Sequence, residues 1–242
     1  MTILAANALL AEFAPKGVLR VALNHGNHVL VGRDAQGAPR GITPLIAQAL
    51  AQHLGVDLRF VEYGRAADAA NDAAREAWDI CFLAVDPMRA QTIDFTKPYL
   101  QIEGRYLAGP AVSAADAAAL VAEGNPVGSV EGSAYTLTLQ RKPGAEHLVI
   151  FKEFQSMIAA FDAGDIAAIA GIGAVMQAKA AERPGTRVLN PPFMQIRQAM
   201  GMPVGRTRAK PLLDGWLDTV VRDGTIEEIL VQNGVDRSCL VA

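Results

Sequence analysis

The strongest constraint on the fold lies between Trp78 and Tyr99. It opens with a short apolar run, Ile80 to Val85. The run is too short for an ordinary helix and reads as a buried strand. Asp86-Pro87 stops it, because proline fixes φ and donates nothing to a sheet. Asp86 is expected to cap, Pro87 to take the first helical position, and Met88 to Gln91 to form a helical turn. Ile93 and Phe95 then alternate into a second short strand. Arg89 is thereby expected just beyond the carboxyl end of a buried strand, where open α/β sheets bind ligands.

Around this block the chain alternates. Strands are expected at Val18–Leu23 and Asp57–Tyr63, with a helix capped by Thr43 between them and another over residues 66–77. A short helix is expected over residues 3–13, and a small hairpin turning at Asp34–Gly37. This β–helix–β–helix–β order implies a parallel sheet with helices on its faces. A second, smaller α/β series follows: Val127–Val130, Leu148–Phe151 and Ile166–Ala170 as strands, each followed by a helix. Ser113 is expected to start a helix with Asp116 in its first turn, and Thr225 with Glu228 to form a capping box. Extended segments near 100–110 and 194–204 bracket the second series. The fold class is therefore α/β. A two-lobed chain is favoured over a single doubly wound domain.

The segment WDICFLAVDPMRAQTIDFTKPY resembles the strand–Arg turn–strand block of the extracellular solute-binding proteins of family 3. These are type II periplasmic binding proteins that serve polar amino acid ABC transporters. Asp79, Pro87, Arg89, Asp94, Phe95, Pro98 and Tyr99 carry the match, while Asp86 stands in place of a threonine. The resemblance runs from about Leu19 to Asn233. It implies the periplasmic-binding-protein type II fold, with residues 1–108 plus 198–242 as lobe 1 and 109–197 as lobe 2. Two hinge strands would join the lobes, with the ligand in the cleft. It further implies a periplasmic, monomeric, non-enzymatic component of an ABC transporter that closes on a small-molecule solute and meets a membrane permease.

Residue by residue, the resemblance places a carboxylate-binding arginine at Arg89. A guanidinium matches a carboxylate bidentately. The alternative is a surface arginine paired with Asp86 or Asp94. Glu131-Gly132-Ser133 follows a strand and opens a helix, a setting that favours anions. The resemblance assigns the same carboxylate to it, with Ser133 as donor; an ordinary turn capped by Ser133 is the alternative. Asn24 stands at the family's acidic position and Asn27 at an aromatic one. Tyr63, Phe82 and Tyr135 remain as aromatic candidates. Gly171 stands where many amino-acid binders carry the aspartate that pairs with the ligand ammonium. A buried ammonium without a carboxylate is costly, so the ligand expected is a small polar carboxylate-bearing solute, an amino acid or related organic acid. Asp86 or Glu131 would have to hold any ammonium.

Composition excludes other classes. Net charge is −3 and charged residues are 19%, which leaves no nucleic-acid footprint. Hydrophobic residues at 51% support a substantial core. His25 and His28 lack a third ligand, so no metal is expected, and no cofactor motif is legible. Cys81 is read as a buried, inert thiol, and whether it pairs with Cys239 is left open. Residues 1–15 lack a basic stretch and a small-residue cleavage site, so no signal peptide is read there. That leaves a cytoplasmic ligand-sensing module as one alternative. A cyclohexadienyl dehydratase-like lyase, which needs a carboxylate as general acid, is the other.

Overall fold

The computed structural model describes residues 10–241. Of the helix expected over 3–13, Leu10 to Phe13 is seen; the rest lies outside the described residues. The chain divides into two compact units. Unit 1 runs to Gln101 and resumes at Arg197; unit 2 is Ile102–Ile196.

In unit 1, β1 (Val18–Asn24) lies between β4 (Asp57–Tyr63) and β5 (Ile80–Ala84). Both pairings are parallel, with Asn24 abreast of Tyr63 and Ala22 abreast of Cys81. Leu19 to Leu23 and all of β5 are buried, as strands covered on both faces should be, and Arg20 is the one charged residue among them. β5 continues to β11 (Met194–Pro203), antiparallel, with Met200 opposite Phe82. A hairpin of β2 (Gly32–Arg33) and β3 (Pro39–Arg40) precedes the helix Ile42–Leu54. Ile42, Ile46 and Leu50 bury its inner face, and Gly55 ends it at φ 67°, a left-handed residue that glycine adopts without strain. Thr43 does not cap this helix. The chain enters at Gly41, at φ 113°. A Cβ at Gly41 would lie 2.8 Å from the Leu30 carbonyl oxygen, so glycine is needed there.

The helix expected over 66–77 is shorter, Ala66–Asn71 followed by a 3-10 turn over Asp72–Arg75. Glu76 then takes φ 49°. Its carbonyl and that of Ala77 accept from Arg20 Nη1 at 2.7 and 3.0 Å, which holds the chain in this turn. Arg20 also grips Asp79 through Nε and Nη2, at 2.9 and 2.7 Å. Arg206 Nη1 reaches the same carboxylate at 3.0 Å.

In unit 2 the order is β6 (Ile93–Ala108), β9 (Ala168–Ile172), β7 (Val127–Val130) and β8 (Leu148–Phe151), with β10 (Arg187–Val188) on β6. β6 is one long strand shared with unit 1, where a short strand and a separate extended segment were expected. β7 is parallel to β8 and to β9. Leu120, Val127, Ala168 and Leu189 form the core on one face of this sheet. Met157, Phe161, Ile169 and Met176 form it on the other. The division at Gln101 and Ile196 falls inside β6 and β11. The sequence pattern places it at 108 and 197, because Gly109-Pro110 is the visible break.

Candidate functional site

In unit 1 the carboxyl ends of β4, β1 and β5 lie side by side. Three loops gather there. After β1, His25 N donates to the Tyr63 carbonyl at 2.9 Å, which ties the loop to β4. Asn24 Oδ1 accepts from Gly26 N at 3.1 Å. Asn27 is buried; its Oδ1 accepts from Val29 N, and its carbonyl from Leu30 N and Val31 N. Both asparagines therefore shape the loop, as short amide side chains do.

After β5, Asp86 Oδ1 accepts from Met88 N at 2.9 Å, and Arg89 begins a 3-10 turn. Asp86 thus closes a local turn over Met88, but the 3-10 turn starts from Met88 with no side-chain cap, later than Asp86-Pro87 implies. Arg89 is 5% exposed, and its Nη1 donates to the Ala84 carbonyl at 3.0 Å. Burial lowers its pKa, and the neighbouring Asp86 carboxylate opposes that shift. Arg89 is thus a buried, oriented cation at a strand end and not a surface arginine. Phe82 is withdrawn: it is 3% exposed and packs edge-on against Tyr99, with ring centroids 6.2 Å apart. A strand covered on both faces leaves it nowhere else to point.

A charged cluster that the sequence reading did not assemble lies at the ends of β1 and β4. Glu62 Oε2 accepts from Arg33 Nη2 at 2.6 Å and pairs with His25 Nε2 at 2.8 Å. Burial pushes the Glu62 carboxyl up, but these two contacts together bring it below the usual carboxylate range. The cluster borders a recess of about 390 Å³, lined also by His28, Val31 and Tyr63. The Tyr63 hydroxyl donates to Asp72 at 3.0 Å, and burial, then that carboxylate, raises its pKa. One signal in the sequence pointed here. Glu62 is the last outward-facing residue before the carboxyl end of a strand, where α/β sheets place their ligands. Among the described residues no group of three His, Cys, Asp or Glu is placed to hold a metal.

In unit 2, Ser133 caps the helix Ala134–Leu139, its Oγ accepting from Thr136 N at 3.2 Å. Thr136 Oγ1 donates to the Val130 carbonyl, so the Ser129 and Ser133 hydroxyls both direct their protons at Thr136 Oγ1, at 2.5 and 2.8 Å. Glu131 is exposed, and its N–H is held by the Phe151 carbonyl. Tyr135 is half-buried, and burial pushes its hydroxyl pKa up to about 12. Gly171 lies inside β9 opposite Arg105, not beyond the strand. A side chain there would meet Met176 Cε at 2.6 Å. The strand end falls to Ile172 and then Gly173, and no carboxylate stands in this stretch. Both cysteines are free, and Cys81 is fully buried.

The chain thus has two α/β units, each with parallel strands in its sheet, and a buried arginine beyond the end of β5. The chain matches the bacterial extracellular solute-binding proteins, family 3, over residues 19–234, and it belongs to that family. Solved structures share the fold. The solute receptor for L-cysteine of Neisseria gonorrhoeae is 21% identical, with a TM-score of 0.81 over 96% of this chain and 99% of that one. A mutant of ArgBP from T. maritima is 17% identical, with a TM-score of 0.77 over 93% and 98%. A histidine kinase sensor domain with similarity to periplasmic binding proteins is 16% identical, with a TM-score of 0.76 over 89% and 95%. No curated protein matches the chain. None of its described helices is long and apolar enough to cross a membrane.

Proposed function

We propose that the chain is the solute-binding component of an ABC transporter, and that its solute is small, polar and carboxylate-bearing, an amino acid or related organic acid. Arg89 carries this reading. It stands in the family's motif at the end of β5, buried, with one nitrogen fixed on the Ala84 carbonyl. A guanidinium so held is oriented before the ligand arrives, and a carboxylate would offset its desolvation. Glu131-Gly132-Ser133 of unit 2 is proposed to assist at the same carboxylate, with Ser133 redirecting its proton from Thr136. Solute binding is proposed to close the two lobes about the chain segments that join them. Membership in an extracellular family supports a periplasmic location and a permease partner. Binding rather than catalysis is supported by the family, whose members are solute-binding proteins.

The test is a thermal-shift screen of amino acids, organic acids and polyamines, followed by calorimetry on the best hit with wild type and Arg89→Met. Removing a charge-assisted contact should cost on the order of 2–5 kcal/mol, roughly thirtyfold or more in affinity. A best hit without an acid group, or unchanged binding by Arg89→Met, overturns the reading.

A further inference from the structure

The recess beside β4 and β1 carries chemistry that Arg89 leaves unused. β4 and β5 flank β1, so their carboxyl ends are roughly 10 Å apart at ordinary strand spacing. Side chains reaching in from both strand ends shorten that span, so one small solute would extend from a carboxylate near Arg89 to a group in the recess. The recess is charge-compensated. Glu62 Oε2 is taken by Arg33 and His25, while Arg33 Nη1 is fixed on the Gly37 carbonyl at 2.8 Å. Among the described residues, Glu62 Oε1 accepts no hydrogen bond. The imidazoles of His25 and His28 line the same space, and a neutral imidazole offers one donor and one acceptor.

We propose that this recess selects the distal group of the solute, and that it takes an uncharged group able both to donate and to accept, such as a carboxamide, over a carboxylate or an ammonium. The proposal rests on the carboxylate-binding reading of Arg89 and adds the other end of the ligand. A carboxamide donates to Glu62 Oε1 and accepts from an imidazole N–H. A second carboxylate would enter beside Glu62, a like charge. An ammonium would enter beside Arg33, whose cation is already turned toward the recess. Either charge would lose hydration to a site of no net charge, which costs free energy without a counter-ion. Glu62 and Arg33 are partly exposed, at 38% and 49%, so water screens the discrimination and keeps it moderate.

The experiment is calorimetry with two matched series. One is glutamine, glutamate and ornithine. The other is the same chains without the α-amino group: glutaramate, glutarate and 5-aminopentanoate. In whichever series binds, the amide should bind about tenfold more tightly than either charged analogue. Glu62→Gln leaves Arg33 unmatched and should move the preference several-fold toward the acid. Arg33→Met leaves Glu62 unmatched and should move it several-fold toward the amine. Arg89→Met should weaken all members of the series alike. If the acids bind through Arg89 but neither Glu62→Gln nor Arg33→Met changes the order, the recess is not the distal pocket and the proposal is wrong. If Arg89→Met leaves binding unchanged while the pocket variants reorder the series, the anchor is wrong and the pocket stands. If no member binds, both readings fall.

Discussion

Asp79 shows what a single buried charge does for unit 1. Its carboxylate is fully buried and accepts from Arg20 N, Nε and Nη2 and from Arg206 Nη1. The network ties β1 to the approach of β5 and to the segment that follows β11. Asp79→Ala would leave the buried guanidinium of Arg20 without its counter-charge and Arg206 with only Glu76, at 3.7 Å, a loss of about 3–5 kcal/mol by the usual cost of breaking such a pair. Urea denaturation checks this, and a loss under about 1 kcal/mol, as for an exposed pair, would show that the network is dispensable. Asp79 was legible as part of the motif, but its role was not. Its partners lie 59 and 127 residues away, and nothing local marks either arginine. The same separation hid the recess, since Arg33 and Glu62 are 29 residues apart. Arg89 was legible because strand, stop and arginine are contiguous.

At the scale of elements, apolar runs and alternation placed the strands well, while several helix starts were misread. Ser113 and Asp116 both suit a cap. The helix is Ala117–Ala122, and Asp116 caps it, its carboxylate accepting from Ala119 N at 2.8 Å. The last helix, Thr225–Gln232, starts from Gly224 at φ 88° with no side-chain cap, so the expected Thr225–Glu228 box does not form. Instead Asp223 Oδ1 accepts from Thr225 N at 3.0 Å. Capping residues are read by type, but a cap is defined by one backbone conformation, and several polar residues compete within a turn. A comparison separates the candidates. Asp116→Ala should lower stability by about 0.5–2 kcal/mol, whereas Ser113→Ala and Glu228→Ala should stay within about 0.5 kcal/mol of wild type. Equal losses at Ser113 and Asp116 in denaturant titrations would mean that the cap is shared.

For the whole molecule, the chain leaves unit 1 within β6 and returns within β11. The extended segments were visible in the sequence, but their division points were not, because strand pattern continues through Gln101-Ile102 and Ile196-Arg197 without a glycine or proline. Each unit has its own buried core, so each can keep its internal packing while the backbone between them adjusts. A ligand moves such an equilibrium only by its differential affinity for the two arrangements. To carry a population from about 1% to 99% closed, it must bind the closed form roughly 10⁴-fold more tightly. A solute held by Arg89 and the recess alone touches unit 1 only and has no such differential; under the proposed function, Glu131–Ser133 is the source of it. Saturating solute should therefore reduce the radius of gyration in small-angle scattering, and Arg89→Met at the same solute concentration should not show the reduction. Identical dimensions with and without a solute that calorimetry shows to be bound would mean that unit 2 adds nothing to the site. Closure would then have no energetic source.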